Sequence, residues 1–281
     1  MLVAALAATA AMLVQPGARA ALAAQPDAVA SVPATGPVVW LAANSSVANL
    51  AQVNRSVAVA DMGAGGTMIQ ATAMVTQNPV PAGYRSLPTE RWTSYARFAG
   101  AAAAGRIPSY IRVAHYDNEA WGQTPVAEQH HPGLYERKFC QVAHAHGLLC
   151  VTSPGRDICA IAFPNSGSNN HCYLSHDMAG SAAKYADYID IQGEVNELRG
   201  TSAYKAFITR AATQARRANP HIIALGNLNA TVSGQSVTAA QMNADARAVY
   251  GTHPWQVSGF YMTIDNAGAR TTARFMQLFE P

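Results

Sequence analysis

Three observations make a single (β/α)8 barrel of the TIM type the fold predicted by this sequence. From Ser109 onward, short runs rich in β-branched residues alternate with longer helical patterns, as parallel βα units require. Counting the earlier runs brings the strands to about eight, the number that closes such a barrel. The chain has 281 residues, and without a leader it comes close to the ~250 usual for the fold.

The leader is predicted over residues 1–24. An apolar run ends at Pro16 and Gly17, and a small-x-small pattern at Ala18 to Ala20 sets a cleavage point near Ala20 to Ala24, although the basic residues that usually precede the run are missing. A membrane anchor is the alternative, but Gln15, Pro16 and Arg19 stop the run short of the roughly 20 residues that span a bilayer. The expectation is a secreted chain, free of the membrane after signal removal, with the barrel over residues 25–281.

Within the barrel the first strands are the least regular: "PVVWLAA", "SVAVADM" and "TMIQATAMV", then a turn-rich "QNPVPAGYRSLP" and a helix "ERWTSYARFAGAAAAG". The second part is plainer. Strand "SYIRVAHYD" leads to helix "VAEQHHPGLYERKFCQVAHAHG", where Gly147 suits a C-cap, and then to strand "LLCVTSP". Strands "YIDIQGE", "HIIALGN" and "VSGFYMTI" follow, separated by helical patterns. A doubly wound open sheet is the competitor, but no strand-to-helix turn carries G-x-G-x-x-G, and "DMGAGGTM" runs into a β-like segment. No nucleotide cofactor, and no other, is expected.

Charged residues make up 12% and the net charge is +3, which leaves no basic face to track a phosphate backbone and excludes nucleic acid as a partner. Four cysteines in an exported chain suggest disulfides. Of three pairings, Cys159 with Cys172 and Cys140 with Cys150 are favoured, with two buried free thiols as the alternative for the latter. The densest histidine groups, "EQHH" and "HAH", read as surface residues, because His144 and His146 point to different faces of a helix. No metal site is expected. No G-x-S-x-G marks a serine hydrolase.

In such barrels the chemistry sits at the carboxyl ends of the strands. Side chains alternate faces along a strand, so His115, Asp117 and Glu119 share one side and Tyr116 and Asn118 the other. Pointing inward, Asp117 and Glu119 place two acids in the barrel mouth. An acid beside a second carboxylate holds its proton longer, as a general acid for glycosidic cleavage requires. The plain alternative is two solvated loop acids that cap the next helix. "YIDIQGEVNEL" repeats the pattern, with Asp190, Gln192, Glu194 and Asn196 on one face; burying such a row costs a few kcal/mol each unless paired, which implies partners or a wet pocket. Later strands end in Asn227 and Asn229, then in Tyr261, Thr263 and Asp265. Tyr116, Trp121 and Trp255 can stack on sugar faces, Trp121 being favoured because it follows the acids directly.

The order of these parts resembles the family-eighteen glycoside hydrolases, particularly the compact hevamine-type chitinases. Their fourth strand ends in D-x-x-D-x-D-x-E; "RVAHYDNE" keeps Asp117 and Glu119, with Arg112 and His115 in place of the first two acids. Their sixth strand carries Gln-x-Tyr-Asn, of which "IQGEVN" keeps Gln192 and puts Glu194 in the tyrosine's place. "VTSPGRDIC" and "IIALGNLNA" are similar to their fifth and seventh strands, while Thr263 stands where an eighth-strand tryptophan would floor the sugar site. The likeness spans Ser109 to Asp265. It implies that Glu119 protonates the leaving oxygen and that Asp117 orients an N-acetyl group. Without the tyrosine, Glu194 becomes a candidate second carboxylate, nucleophile or base, in a two-carboxylate mechanism.

The expected protein is therefore a secreted glycoside hydrolase acting on a polysaccharide or glycan. Glu119, Asp117 and Glu194 carry the chemistry, and Tyr116, Trp121, Gln192, Asn196, Asn227, Tyr261 and Asp265 bind the substrate. A non-catalytic carbohydrate-binding barrel, or a lyase on the same fold, is the alternative, since fold does not fix chemistry.

Overall fold

A computed structural model describes residues 38–74, 76–251, 253 and 255–279; the expected leader lies outside the described residues. Eight parallel strands close into one ring in chain order: β1 (Val39–Ala43), β2 (Met68–Thr72), β3 (Leu87–Trp92), β4 (Val113–Asn118), β5 (Leu149–Pro154), β6 (Tyr188–Ile191), β7 (Ile223–Asn227) and β8 (Gly259–Met262), which pairs back onto β1. Helices lie between the strands, as βα crossovers demand. The predicted (β/α)8 barrel is the fold.

Two of the early elements differ from expectation. "SVAVADM" is helical, not a strand: a helical turn at Arg55–Val57 runs into a π-helical turn at Ala58–Met62. Ala58 and Met62, four residues apart, are the buried pair, whereas Val59 is left exposed, so the burial follows a helical spacing. The third strand of the ring is instead Leu87–Trp92, from the stretch expected to be a turn followed by a helix. Pro88, Glu90 and Arg91 hide its strand character. Its inward residues Thr89 and Arg91 are polar, and the helix after it starts only at Tyr95, where the Ser94 side chain accepts from the Arg97 amide.

The interior of the ring is layered. Toward the amino ends, Val39, Leu41, Met68, Val113, Val151, Tyr188 and Leu225 form an apolar plug. Two residues further along the same strands stand Gln70, His115, Ser153, Asp190 and Asn227, all buried. A second, larger apolar cluster fills the space between strands and helices, where Trp40, Phe260, Phe275 and Phe279 tie β1 and β8 to the helix Ala269–Leu278. Each such buried side chain stabilises the fold by ~1.5–3 kcal/mol.

Both favoured cysteine pairs are disulfides. Cys140–Cys150 joins the helix Pro132–Ala145 to β5 across 5.3 Å between Cα atoms, and Cys159–Cys172 closes the loop after β5 across 6.0 Å. Among the described residues no helix is long and apolar enough to cross a membrane.

Candidate active site

The polar layer rises toward the carboxyl rim, where β4 delivers its two acids. Asp117 is the last inward residue of the strand and is buried; Glu119 follows one step beyond the strand end. Arg91, on the neighbouring strand β3, places Nη1 3.1 Å from Asp117 Oδ2. Gln192, just past β6, donates through Nε2 to Glu119 Oε1 at 3.0 Å and to Asp117 Oδ1 at 3.4 Å. Asp117 and Glu119 also bond each other, which lowers Asp117 and raises Glu119. One amide and one guanidinium thus tie two acids from β4 to β6 and to β3.

Burial pushes the Glu119 carboxyl up to about 8, and the Asp117 charge adds to the effect; the bond from Gln192 works the other way. Burial also raises Asp117 above its ordinary value, with the Arg91 cation and the bond from Glu119 working the other way. With its carboxyl at about 8, Glu119 keeps its proton at neutral pH. Gly155 permits the geometry: a Cβ there would sit 3.1 Å from both the Asn118 carbonyl oxygen and Glu119 Cα, so a side chain would crowd the end of β4.

Among the other expected residues, Asn227 and Tyr261 face the same interior. Asn227 Oδ1 accepts from Asn229 Nδ2 at 3.0 Å, and the Tyr261 hydroxyl accepts from Gln70 Nε2 at 2.9 Å. Trp121 lies half-buried in the loop after β4, its indole N–H donating to Thr124 Oγ1 at 2.8 Å.

Two expectations need correction. Tyr116 points outward from β4, as parity requires, and is wholly buried: its ring stacks on Phe139 and its hydroxyl donates to Glu128 at 2.7 Å, so it is core and not a sugar platform. Asp265, also expected to bind substrate, is exposed after β8, and its Oδ1 accepts from the Gly268 amide at 2.6 Å and from Thr231 at 3.4 Å. β6 ends at Ile191, and Glu194 opens a 3-10 turn reaching Arg199, so Glu194 and Asn196 are not on an alternating strand face. Asn196 accepts from Asn170 of the disulfide-closed loop at 2.7 Å. The charge of Glu194 weighs on Asp190, Glu197 and Tyr204, whereas the charges weighing most on Glu119 are Asp117 and Asp157.

The residues not singled out beforehand are Gln70, Arg91 and Ser153. Gln70 and Ser153 each stand two places after an apolar plug residue, Met68 and Val151, and that offset, repeated at His115, Asp190 and Asn227, is the signal that finds them. Among the described residues no group of three or more His, Cys, Asp or Glu side chains is arranged to hold a metal ion.

No protein-family model matches the chain, and no curated protein does. Among solved structures it is similar to the carboxyl transferase domain of Rhizobium etli pyruvate carboxylase with pyruvate, at 11% identity and a TM-score of 0.44 over 87% of this chain and 48% of that one. The Y628A form of that domain gives 12% identity and a TM-score of 0.41 over 86% and 47%. Thiamine phosphate pyrophosphorylase from Pyrococcus furiosus gives 10% identity and a TM-score of 0.27 over 86% and 94%. The chain spans about half the length of the carboxyl transferase chains it matches.

Proposed function

We propose that this chain is a secreted glycoside hydrolase in which Glu119 protonates the leaving oxygen of a polysaccharide or glycan bound in the barrel mouth. The observation that carries the reading is the Glu119 carboxyl: raised to about 8, bonded to Asp117 and to Gln192, at the carboxyl rim where barrel chemistry is done. As Glu119 gives up its proton, Gln192 Nε2, already 3.0 Å from Oε1, donates to the new carboxylate and offsets its charge. Asp117 stands beside it, paired with Arg91 at 3.1 Å.

Two acids that share a hydrogen bond stand far closer than the ~5–5.5 Å of a retaining pair or the ~6.5–9.5 Å of an inverting one. They act as one unit on one side of the bond. That arrangement favours a nucleophile supplied by the substrate itself, the role that the resemblance to family-eighteen enzymes implies for a sugar N-acetyl group oriented by Asp117. Glu194, whose charge bears on Asp190 and Glu197, is the weaker candidate for an opposed second carboxylate. Two disulfides support export.

Glu119→Gln tests the reading on a panel of N-acetylated and plain glycans. Hydrolysis of a responsive glycan is expected to fall at least about a hundredfold with the thermal midpoint kept or raised, since the amide removes a buried acid. Unchanged turnover removes Glu119 from the mechanism.

A further inference from the structure

Beneath the Asp117 and Glu119 pair, five buried side chains from five strands touch in series. The Tyr261 hydroxyl oxygen on β8 accepts from Gln70 Nε2 on β2 at 2.9 Å. Gln70 Oε1 lies 2.6 Å from His115 Nδ1 on β4, and His115 Nε2 lies 2.7 Å from Ser153 Oγ on β5. Ser153 Oγ in turn lies 3.1 Å from Asp190 Oδ2 on β6.

Counting protons fixes the direction of these bonds. A carboxamide oxygen only accepts, so His115 carries a hydrogen on Nδ1. Burial pushes this histidine down to about 3, with the Arg91 charge adding to the effect, so at neutral pH its ring is uncharged and Nε2 is bare. A bare Nε2 takes the single hydroxyl proton of Ser153. Ser153 then has none left for Asp190, and their contact requires a proton on Asp190 itself; burial, with the Glu194 and Asp117 charges close by, favours that form and outweighs the opposing bonds with Ser153 and Asn227. At the other end, the Tyr261 oxygen already accepts from Gln70, and it bonds Thr263 as well. Gln70 therefore leaves the Tyr261 O–H uncommitted, and the Asp117 charge acts on that hydroxyl.

We propose that this relay fixes Tyr261 as a hydrogen-bond donor to an oxygen atom of the bound ligand, and that Asp190, four side chains away, is the positioning residue that sets its direction. The identity of that ligand as a carbohydrate rests on the function proposed above; the direction of the relay does not. Were Asp190 ionised beside an uncharged ring, every bond would reverse: Ser153 would donate to Asp190, His115 would carry its proton on Nε2, the Gln70 amide would turn over so that its Nε2 donates to Nδ1, and Tyr261 would donate its O–H to the Gln70 amide oxygen.

The test reads the His115 ring in the full chain labelled with 15N-histidine, its signal identified by loss in His115→Gln. At neutral pH the native protein is expected to show an uncharged ring protonated at Nδ1. Asp190→Asn, whose amide N–H can replace the carboxyl O–H, is expected to leave that tautomer in place. An Nε2–H tautomer or a charged ring in the native protein, or a change of tautomer in Asp190→Asn, overturns the proposal. Because the readout needs no glycan, it separates failure of the relay from failure of the carbohydrate reading. With a responsive glycan, Tyr261→Phe is expected to weaken binding by roughly tenfold, and unchanged binding overturns the donor role.

Discussion

At the scale of single residues, the decisive fact is that two acids one residue apart in a strand's alternation meet different surroundings. Both meet the Gln192 amide and each other, and Asp117 has in addition a guanidinium 3.1 Å away. A cation favours the charged carboxylate; burial next to a like charge favours the neutral acid. The proton shared by the pair therefore rests on Glu119, and its loss is expected in the range about pH 8. The spacing of Asp117 and Glu119 was legible in the sequence because side chains alternate along a strand. Arg91, which decides where the proton sits, was not, because a strand containing Pro88 and Glu90 carries no β signal of its own and is recruited by its neighbours in the ring.

At the scale of elements, the loops after β4, β5 and β6 hold the site together. The loop after β5 brings Gly155 and Asp157 against the end of β4, and beyond it Asn170 donates to Asn196 in the turn after β6. Cys159–Cys172 closes that segment, with a sequence separation of 13. Cross-linking a loop of this length removes unfolded-state freedom, so a Cys159→Ser, Cys172→Ser double variant is expected to lose roughly 3 kcal/mol in urea unfolding; an unchanged midpoint would mean that the loop is held by its other contacts. Both cysteine pairs were readable from proximity in sequence. The end of β6 was not, since "IDIQGEVNEL" alternates well past the point where Gly193 breaks the strand and the 3-10 turn begins. The alternation was right up to Asp190 and misleading from Glu194 on.

For the whole molecule, the eight-strand ring was legible from the βα alternation and the strand count, even though one of the eight was misplaced. The reason is that closure is a property of number and order: "SVAVADM" became helical and Leu87–Trp92 took its place, and the ring still closed. Acids are also buried outside the ring, Glu136 on the helix Pro132–Ala145 and Glu197 in the turn after β6, and this has a consequence for stability. Burial raises Glu136 to about 7 and Glu197 to about 9, both from an ordinary value of 4.5, and Glu119 to about 8. A carboxyl raised by folding binds its proton more tightly in the native than in the unfolded chain. Its stabilising contribution is complete below pH 4.5 and is lost as pH climbs through 7, 8 and 9. His115, lowered to about 3 from 6.5, acts in the opposite sense at the acid end. Thermal unfolding followed across pH should therefore show greatest stability on the mildly acidic side and a decline toward pH 9 that Glu197→Gln makes shallower; a midpoint that is flat or rises over that range would contradict this assignment.

The proposed chemistry depends most directly on the protonation of one side chain. Carbon-detected NMR of the Glu119 carboxyl in the full chain, its resonance assigned by its absence in Glu119→Gln, measures that protonation without any substrate. The predicted result is a titration midpoint near 8; a midpoint in the ordinary glutamate range near 4.5 would leave the barrel mouth without its acid and contradict the account.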